Sequence, residues 1–354
     1  MTINDIARLA GVSIATVSRV INNRGYVKEE TRRRVEAVID AHGYRPSAAA
    51  RTLIRSSSSM IAVIMSERPS SFSSKILGVI EERAARQGDS VLLYNTGAEV
   101  GREQKAISQA IEHQVKGILF LPVMDSGEET ARMLKEAEKE DVPVVLLDWD
   151  LYQEEFDRVL MDNKQGIYDG VEMLIKEGHR RIAFVACPEV AKKGGQRKDG
   201  YVQCLTDWDI PVDAQYLYEG EFSEQSGYEA CRRFFALPNP PTAVLAACSS
   251  ATLGCFRYFC ENHLLLRKDI SLVGFDDISL VEFLGYPVTT LEQPVKELGE
   301  CVCDLLHMRI NDAGSKKARS SKAHRKLILD TKTVKRGSER GEHGQEDTQY
   351  IKEA

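Results

Sequence analysis

Six side chains near the N-terminus have types suited to hydrogen bonding and close apolar contact: Ile14, Ala15, Thr16, Ser18, Arg19 and Asn22. They belong to the segment TINDIARLAGVSIATVSRVIN (2–22), in which the interleaved Val17, Val20 and Ile21 are apolar. An arginine can fork onto a guanine edge, and small apolar groups can touch thymine methyls. Hydroxyl and amide side chains can take phosphate oxygens. A helix face of this make-up fits the major groove of double-stranded DNA.

Two short helices must hold that face. Thr2 and Asp5 have the spacing of a capping box for the first, and Ile6, Leu9 and Ala10 recur on one side of it. Gly11 supplies a break and Ser13 a cap for the second helix, whose Val17, Val20 and Ile21 point back at the first. A third helix is expected in VKEETRRRVEAVIDAHGY (27–44), with Val35, Val38 and Ile39 closing the core and Gly43 ending it. Glu29 and Glu30 sit in its first turn, where the helix dipole favours acids. Residues 1–55 hold ten Lys/Arg and five Asp/Glu, a net of +5, whereas the whole chain carries −6, so the remainder carries −11. The basic head suits phosphates and the acidic body does not.

The chain has 354 residues, 43% of them hydrophobic, enough for two or three domains. It has no run of eighteen apolar residues and no secretory h-region, so neither a membrane-spanning nor a secreted protein is expected. All eight cysteines (187, 204, 231, 248, 255, 260, 301 and 303) fall in the second half, mostly in apolar runs and without a C-x-x-C pair. They read as small core residues in a reducing cytosol, with no metal site and no cofactor.

After the head comes RPSAAARTLIRSSSSM (45–60), where Ser47 can cap a short helix from Ala48 to Ile54 and Ser56 to Ser59 form a link. Seven residues are too few for a stable isolated helix, so this one needs DNA or a second copy to form. From Met60 onward, short apolar runs alternate with helical patterns. Strands are expected at 61–65, 90–94, 117–121 and 143–148, with helices near 73–87, 102–114 and 127–140. A second series follows at 181–186, 242–247 and 270–275, with helices near 164–177, 196–207, 224–236 and 250–263. The reading is two successive α/β lobes of parallel strands, with a ligand cleft at the carboxyl ends of the strands. The domains expected are a head at 1–46, a hinge and linker at 47–59, a two-lobed body at 60–337 and a disordered tail at 338–354.

These motifs carry a resemblance. The head DIARLAGVSIATVSRVIN, the linker RPSAAARTL, and GHRRIAF (178–184), VGFDD (273–277) and TTLEQP (289–294) stand in the order of the LacI-type (lactose-repressor) family of bacterial transcription regulators. The chain resembles that family from Thr2 to about Ser338. The resemblance implies an all-α helix-turn-helix head, a hinge helix and a periplasmic-binding-protein-like body. It implies a cytoplasmic homodimer, most simply a repressor, that reads a near-palindromic operator and responds to a small-molecule effector such as a sugar.

Carried over by position, Ile14, Ala15 and Arg19 match base-reading residues, Thr16, Ser18 and Asn22 match positions near the DNA backbone, and Tyr26, counted with the DNA-binding residues, lies just past that helix. Leu53, with Ala50 beside it, matches the hinge leucine that enters the minor groove. In the body, Phe72, Asp148, Arg197, Phe222 and Asp276 match effector positions. An arginine, two carboxylates and two rings suit a polyhydroxylated ring. The sequence departs from the family pattern at Lys28 (usually Ser or Thr), Ile54 (often basic), Ser73 (often aromatic) and Cys248–Ser249 (often Asn-Asp). The rival reading as an enzyme finds no P-loop, G-x-G-x-x-G, H-E-x-x-H or G-x-S-x-G. The histidines are scattered, and Asp148, Asp150, Asp276 and Asp277 read as ligand or surface carboxylates. A DNA-bending regulator with no effector is the alternative within the binding class.

Overall fold

The computed structural model describes residues 1–21, 25–43, 59–65, 71–151, 156–188, 192–276, 278, 285–313 and 323–341. The chain divides into two units, Met1–Ser59 and Met60–Ala354.

In the first unit, Thr2 N donates to Asp5 Oδ2 at 2.9 Å and Asp5 N to Thr2 Oγ1 at 3.4 Å, the reciprocal cap of α1 (Ile3–Ala10). Gly11 closes that helix at φ 64°, and a Cβ there would meet nothing within 4 Å, so only backbone conformation demands glycine. Ser13 Oγ accepts from Thr16 N at 3.2 Å at the start of α2 (Ile14–Ile21). The third helix, α3 (Glu29–His42), starts at Lys28 without a side-chain cap and ends on Gly43 at φ 58°. Ile6, Ala7, Ala10, Val17, Val20 and Val35 form the core, with Ile21, Val38 and Ile39 partly buried around it. Leu9, expected inside, is 50% exposed. The partners close on the stripe Ile6–Ala7–Ala10, and Leu9 lies off its edge at the helical period. Asn22 and the expected hinge helix, Ala48 to Ile54, lie outside the described residues.

The second unit contains two six-stranded sheets. The first is parallel throughout and built from β1 (Met60–Met65), β2 (Ser90–Asn95), β3 (Ile118–Leu121), β4 (Val144–Leu147), β5 (Asp157–Met161) and β11 (Lys326–Leu329), in the order β11-β5-β4-β3-β1-β2. Among the described residues four helices flank it: α4 (Ser71–Arg86), α5 (Val100–Glu112), α6 (Glu128–Lys139) and α11 (Val295–Ala313). Its strands read as unbroken apolar runs because both faces are covered. Ile61, Val63, Leu119 and Val145 pack with Ile76 and Ile80 of α4 and with Leu298, Val302 and Leu306 of α11. Ala62, Ile64, Ile118, Phe120, Val144 and Leu146 pack the other way, onto Ile107 and Leu134.

The second sheet comprises β6 (Ile182–Ala186), β7 (Leu217–Glu219), β8 (Ala243–Ala246), β9 (Ser271–Phe275), β10 (Thr289–Glu292) and β12 (Lys332–Val334), in the order β12-β10-β9-β8-β6-β7. Only its β10–β12 pair is antiparallel. Its helices are α7 (Asn163–Lys176), α8 (Lys192–Asp207), α9 (Glu224–Phe234) and α10 (Ser249–Glu261). The last two meet closely: a Cβ on Gly227 would lie 2.0 Å from Ala251 O, and one on Gly254 would lie 1.9 Å from Glu224 O.

The lobes are therefore not successive in sequence. The chain crosses between them after β5, after β10 and between β11 and β12, returning α11 and β11 to the first lobe. Leu298, Val302, Leu305 and Leu306 recur at helical spacing and complete the first core. The expected tail boundary at residue 338 falls within the packed body. Ser338 and Glu339 are buried, with Thr289 N donating to Ser338 Oγ at 2.7 Å and Ser338 Oγ to Leu272 O at 2.5 Å.

Candidate nucleic-acid face and ligand cleft

On α2, burial of Val17 and Val20 rotates Ile14, Ala15 and Arg19 to the outside, with Thr16 and Ser18 at the margin. Ile14 is 50% exposed, an apolar group kept in water where a groove contact would use it. Thr16 Oγ1 lies 2.9 Å from Ser13 Oγ, which ties this hydroxyl to the helix start. The stem of Arg19 runs past Gly25, whose added Cβ would stand 3.7 Å from Arg19 Cδ. Tyr26 is 88% exposed beyond the same helix. The structure thus gathers Ile14, Ala15, Arg19 and Tyr26 on exposed positions of one small unit. Asn22, Ala50 and Leu53 lie outside the described residues.

In the body, Phe72, Asp148, Phe222 and Asp276 all follow the carboxyl ends of strands, where ligands bind in open α/β sheets. Asp148, directly after β4, is buried in the left-handed region at φ 49°, and its Oδ1 accepts from Met161 N at 3.0 Å. Asp276, directly after β9, has φ 65° and accepts from Gln293 Nε2 at 2.8 Å. Aspartate tolerates this backbone region better than most side chains.

Arg197 sits inside α8, which starts at Lys192, ahead of the expected start. It is 3% exposed and well held. Its Nε donates to Asn163 Oδ1 at 2.9 Å and its Nη1 to Ala247 O at 2.6 Å, and its guanidinium carbon lies 3.8 Å from the Phe275 ring centre. Asn163 Nδ2 donates back to Met161 O at 3.3 Å. A continuous chain of contacts thus runs from Asp148 in one lobe, through Met161 and Asn163 at the first crossing, to Arg197 and the Phe275–Asp276 strand end in the other.

The two aromatic residues stand apart from this chain. Phe72 is 7% exposed and packs into the first-lobe core, whereas Phe222 is 40% exposed just before the Ser223 cap of α9. Sequence reasoning missed Asn163, whose only local signal is an Asp-Asn pair at a strand-to-helix junction. It also missed that Cys187 and Cys248 meet beside Arg197. Cys187 is pushed well up, first by its hydrogen bond to Cys248 and then by burial. The Cys248 thiol is drawn down to about 7, first by that same bond, then by the Ala251 amide and Arg197, with burial opposing.

Residues 2–47 match the family described as bacterial regulatory proteins, lacI family, and residues 58–331 match periplasmic binding proteins and sugar binding domain of LacI family. The HTH-type transcriptional repressor PurR of Vibrio atlanticus (strain LGP32) is 32% identical over 89% of this chain and 94% of its own length. PurR of Actinobacillus pleuropneumoniae serotype 3 (strain JL03) is 30% identical over 93% and 97%. Among solved structures, the Lac repressor dimer bound to operator and the anti-inducer ONPF aligns with TM-score 0.81 at 29% identity, covering 96% of this chain and 99% of that one. A complex of the transcriptional regulator CelR with cellobiose aligns with TM-score 0.69 at 27% identity, with the same coverage.

Proposed function

The chain belongs to the LacI family of bacterial regulatory proteins, and from that premise we propose a homodimeric cytoplasmic repressor whose operator affinity is set by a small metabolite held between the two body lobes. The observation that carries this reading is α2, whose apolar residues are buried while Ile14, Ala15 and Arg19 stand exposed. Arg19, Ile14 and Ala15 read base edges, and Thr16, Ser18, Asn22 and Tyr26 hold the phosphate backbone. Leu53 and Ala50 enter the minor groove at the operator centre, where two hinges order on binding. A two-fold protein matches two-fold DNA.

The effector is a small polar ring, sugar-like in its hydroxyls, bound by Asp148, Arg197 and Asp276 and flanked by Phe72 and Phe222. Arg197 is already engaged with Asn163, which itself bonds Met161 of the first lobe, and with Ala247 of the second, so a ligand that draws on it reaches contacts of both. A useful switch needs a coupling of about 1–3 kcal/mol between ligand and operator. No reaction step is assigned to these residues. Genomic footprinting gives the operator, and thermal shift of the full chain against a metabolite library gives the ligand. Footprints without two-fold symmetry would contradict the dimeric reading, and turnover of a stabilising compound would contradict a purely regulatory one.

A further inference from the structure

Cys187 and Cys248 lie at the carboxyl ends of neighbouring strands. Val185 of β6 pairs in register with Ala246 of β8, and Ala247 N donates to Val185 O at 2.9 Å. Each cysteine is two residues beyond that pair, so both side chains fall on the same face of the sheet. Adjacent strands run about 4.7–4.9 Å apart, inside the Cα separation of about 4.4–6.8 Å that a disulfide spans. Each thiol is the first influence on the other's hold on its proton.

Cys248 is also the cap of α10, where its Sγ accepts from Ala251 N at 3.4 Å. The charged and titratable groups around it are Cys187 from the end of β6, Arg197 from α8 and Asp276 from the end of β9. A sulfur at a helix N-terminus beside a guanidinium is a setting that favours thiolate. Cys187 caps no described helix, so the geometry marks Cys248 as the attacking sulfur and Cys187 as the resolving one.

We propose that Cys187 and Cys248 are a modification site at the floor of the cleft, oxidised by a hydroperoxide to a reversible disulfide. The Cys248 thiolate attacks one peroxide oxygen, an S–O bond forms, the O–O bond breaks, and the leaving oxygen takes a proton to depart as an alcohol or water. The Cys187 sulfur then attacks the Cys248 sulfenic acid. The S–S bond forms and the S–O bond breaks, and the hydroxide departs as water with the Cys187 proton. Two thiols supply the two electrons that reduce the peroxide, and a dithiol reductant reverses the bond. Closure takes the Cys248 sulfur from its cap and its negative charge from Arg197, so the cleft floor changes in both shape and charge. The placement in a ligand cleft rests on the repressor reading; the bond itself does not.

The test uses the full chain with hydrogen peroxide, without DNA or effector. Free thiols are alkylated after denaturation and the digest is read by mass spectrometry. The expected product is one linked peptide joining Cys187 to Cys248, lost on treatment with a dithiol and formed faster as pH rises through about 7. Cys248→Ser keeps a capping oxygen and should form no such link. Cys187→Ser should stop at a sulfenic acid on Cys248, trapped by dimedone. Recovery of fully alkylated Cys248 after peroxide overturns the proposal, as does a link between any other pair. Since operator binding is not measured, failure here leaves the repressor reading standing, and failure of that reading leaves the bond.

Discussion

Asp148 and Asp276 hold the same station in the two lobes. Each follows the strand lying third from the β11 or β12 edge of its sheet, and each takes a positive φ, 49° and 65°. Asp148 N donates to Val159 O at 2.7 Å, and Asp276 N to Leu291 O at 2.9 Å, so each turns onto the next strand of its own sheet. The side chains then differ. Asp148 Oδ1 takes a buried backbone amide, Met161 N, and Asp276 Oδ1 takes the side chain of Gln293.

That difference sets the first prediction. Asp148→Ala leaves the Met161 amide buried without its carboxylate and should cost about 1–3 kcal/mol. Asp276→Ala should cost less, because Gln293 is only part-buried and can turn to water. Asn at either position keeps the left-handed turn. Chemical denaturation of the two alanine variants measures the order, and an Asp276→Ala loss as large as that of Asp148→Ala would contradict it.

In the head, Arg19 is exposed beside Ile14 and Ala15 and far in type from the apolar core behind it. Arg19→Ala should weaken operator binding by about 1–3 kcal/mol and relax preference at one base pair per half-site. A gel-shift series on the footprinted operator and its single-base variants reads both effects. Retained affinity and preference would remove the base-reading role.

What was legible in the sequence follows from how local each determinant is. Thr2, Asp5, Gly11, Ser13 and Gly43 act on their own turns, so their caps and breaks could be read directly. The spacing of Ile6, Leu9 and Ala10 fits two adjacent stripes, and only the packing of three helices decides that Ala7 is buried and Leu9 exposed. Buried strands such as β1 and β9 show as apolar runs, whereas β5 (DRVLM) opens on Asp157, buried against the distant Arg309, and β7 (LYE) is short and half-exposed. The return of α11 and β11 to the first lobe depends on contacts between distant segments, which no local window contains. Ser338 and Glu339 sit in a charged stretch that reads as tail, yet Thr289 and Leu272 bind Ser338 and Thr289 Oγ1 donates to Glu339. At the cleft, Asp148 and Asp276 were visible at strand ends, but Asn163 and the Cys187–Cys248 contact appear only once the crossing and the strand register are known.

Glu103 gives a prediction in pH. It is fully buried on α5, where Oε2 accepts from Val123 N at 2.6 Å and Oε1 from Ser126 Oγ at 2.5 Å and Thr130 Oγ1 at 3.1 Å. Burial raises its pKa above the ordinary 4.5 even against those three donors. The folded state then holds its proton to higher pH than the unfolded state does. Stability should therefore fall as pH rises from that ordinary value through the raised one, by at most about 1.4 kcal/mol per pH unit for one proton. Glu103→Gln can still accept from Val123 N and can donate to the two hydroxyls, and it should remove this share of the slope. Urea melts of both proteins across acid to neutral pH read it; identical slopes would show that Glu103 titrates alike in both states.

The prediction for the proposed effector site turns on Arg197. Its guanidinium joins the start of α7 to the end of β8 and covers the Phe275 ring, so it serves the junction of the lobes as well as any ligand. Arg197→Ala removes two charge-assisted donors and a stacked cation, each such hydrogen bond being worth about 1.5–3 kcal/mol. The variant should melt earlier, yet bind operator through an unchanged head. Arg197→Lys keeps the charge but has no planar fork to serve Asn163 and Ala247 together, so it should recover part of the stability and little of the effector response. With the metabolite found by thermal shift, operator binding is titrated in the wild type and both variants. A regulator locked in one state by either substitution fits Arg197 as the group through which ligand and lobe contacts are coupled. An effector midpoint unchanged in Arg197→Ala would place the ligand elsewhere in the body.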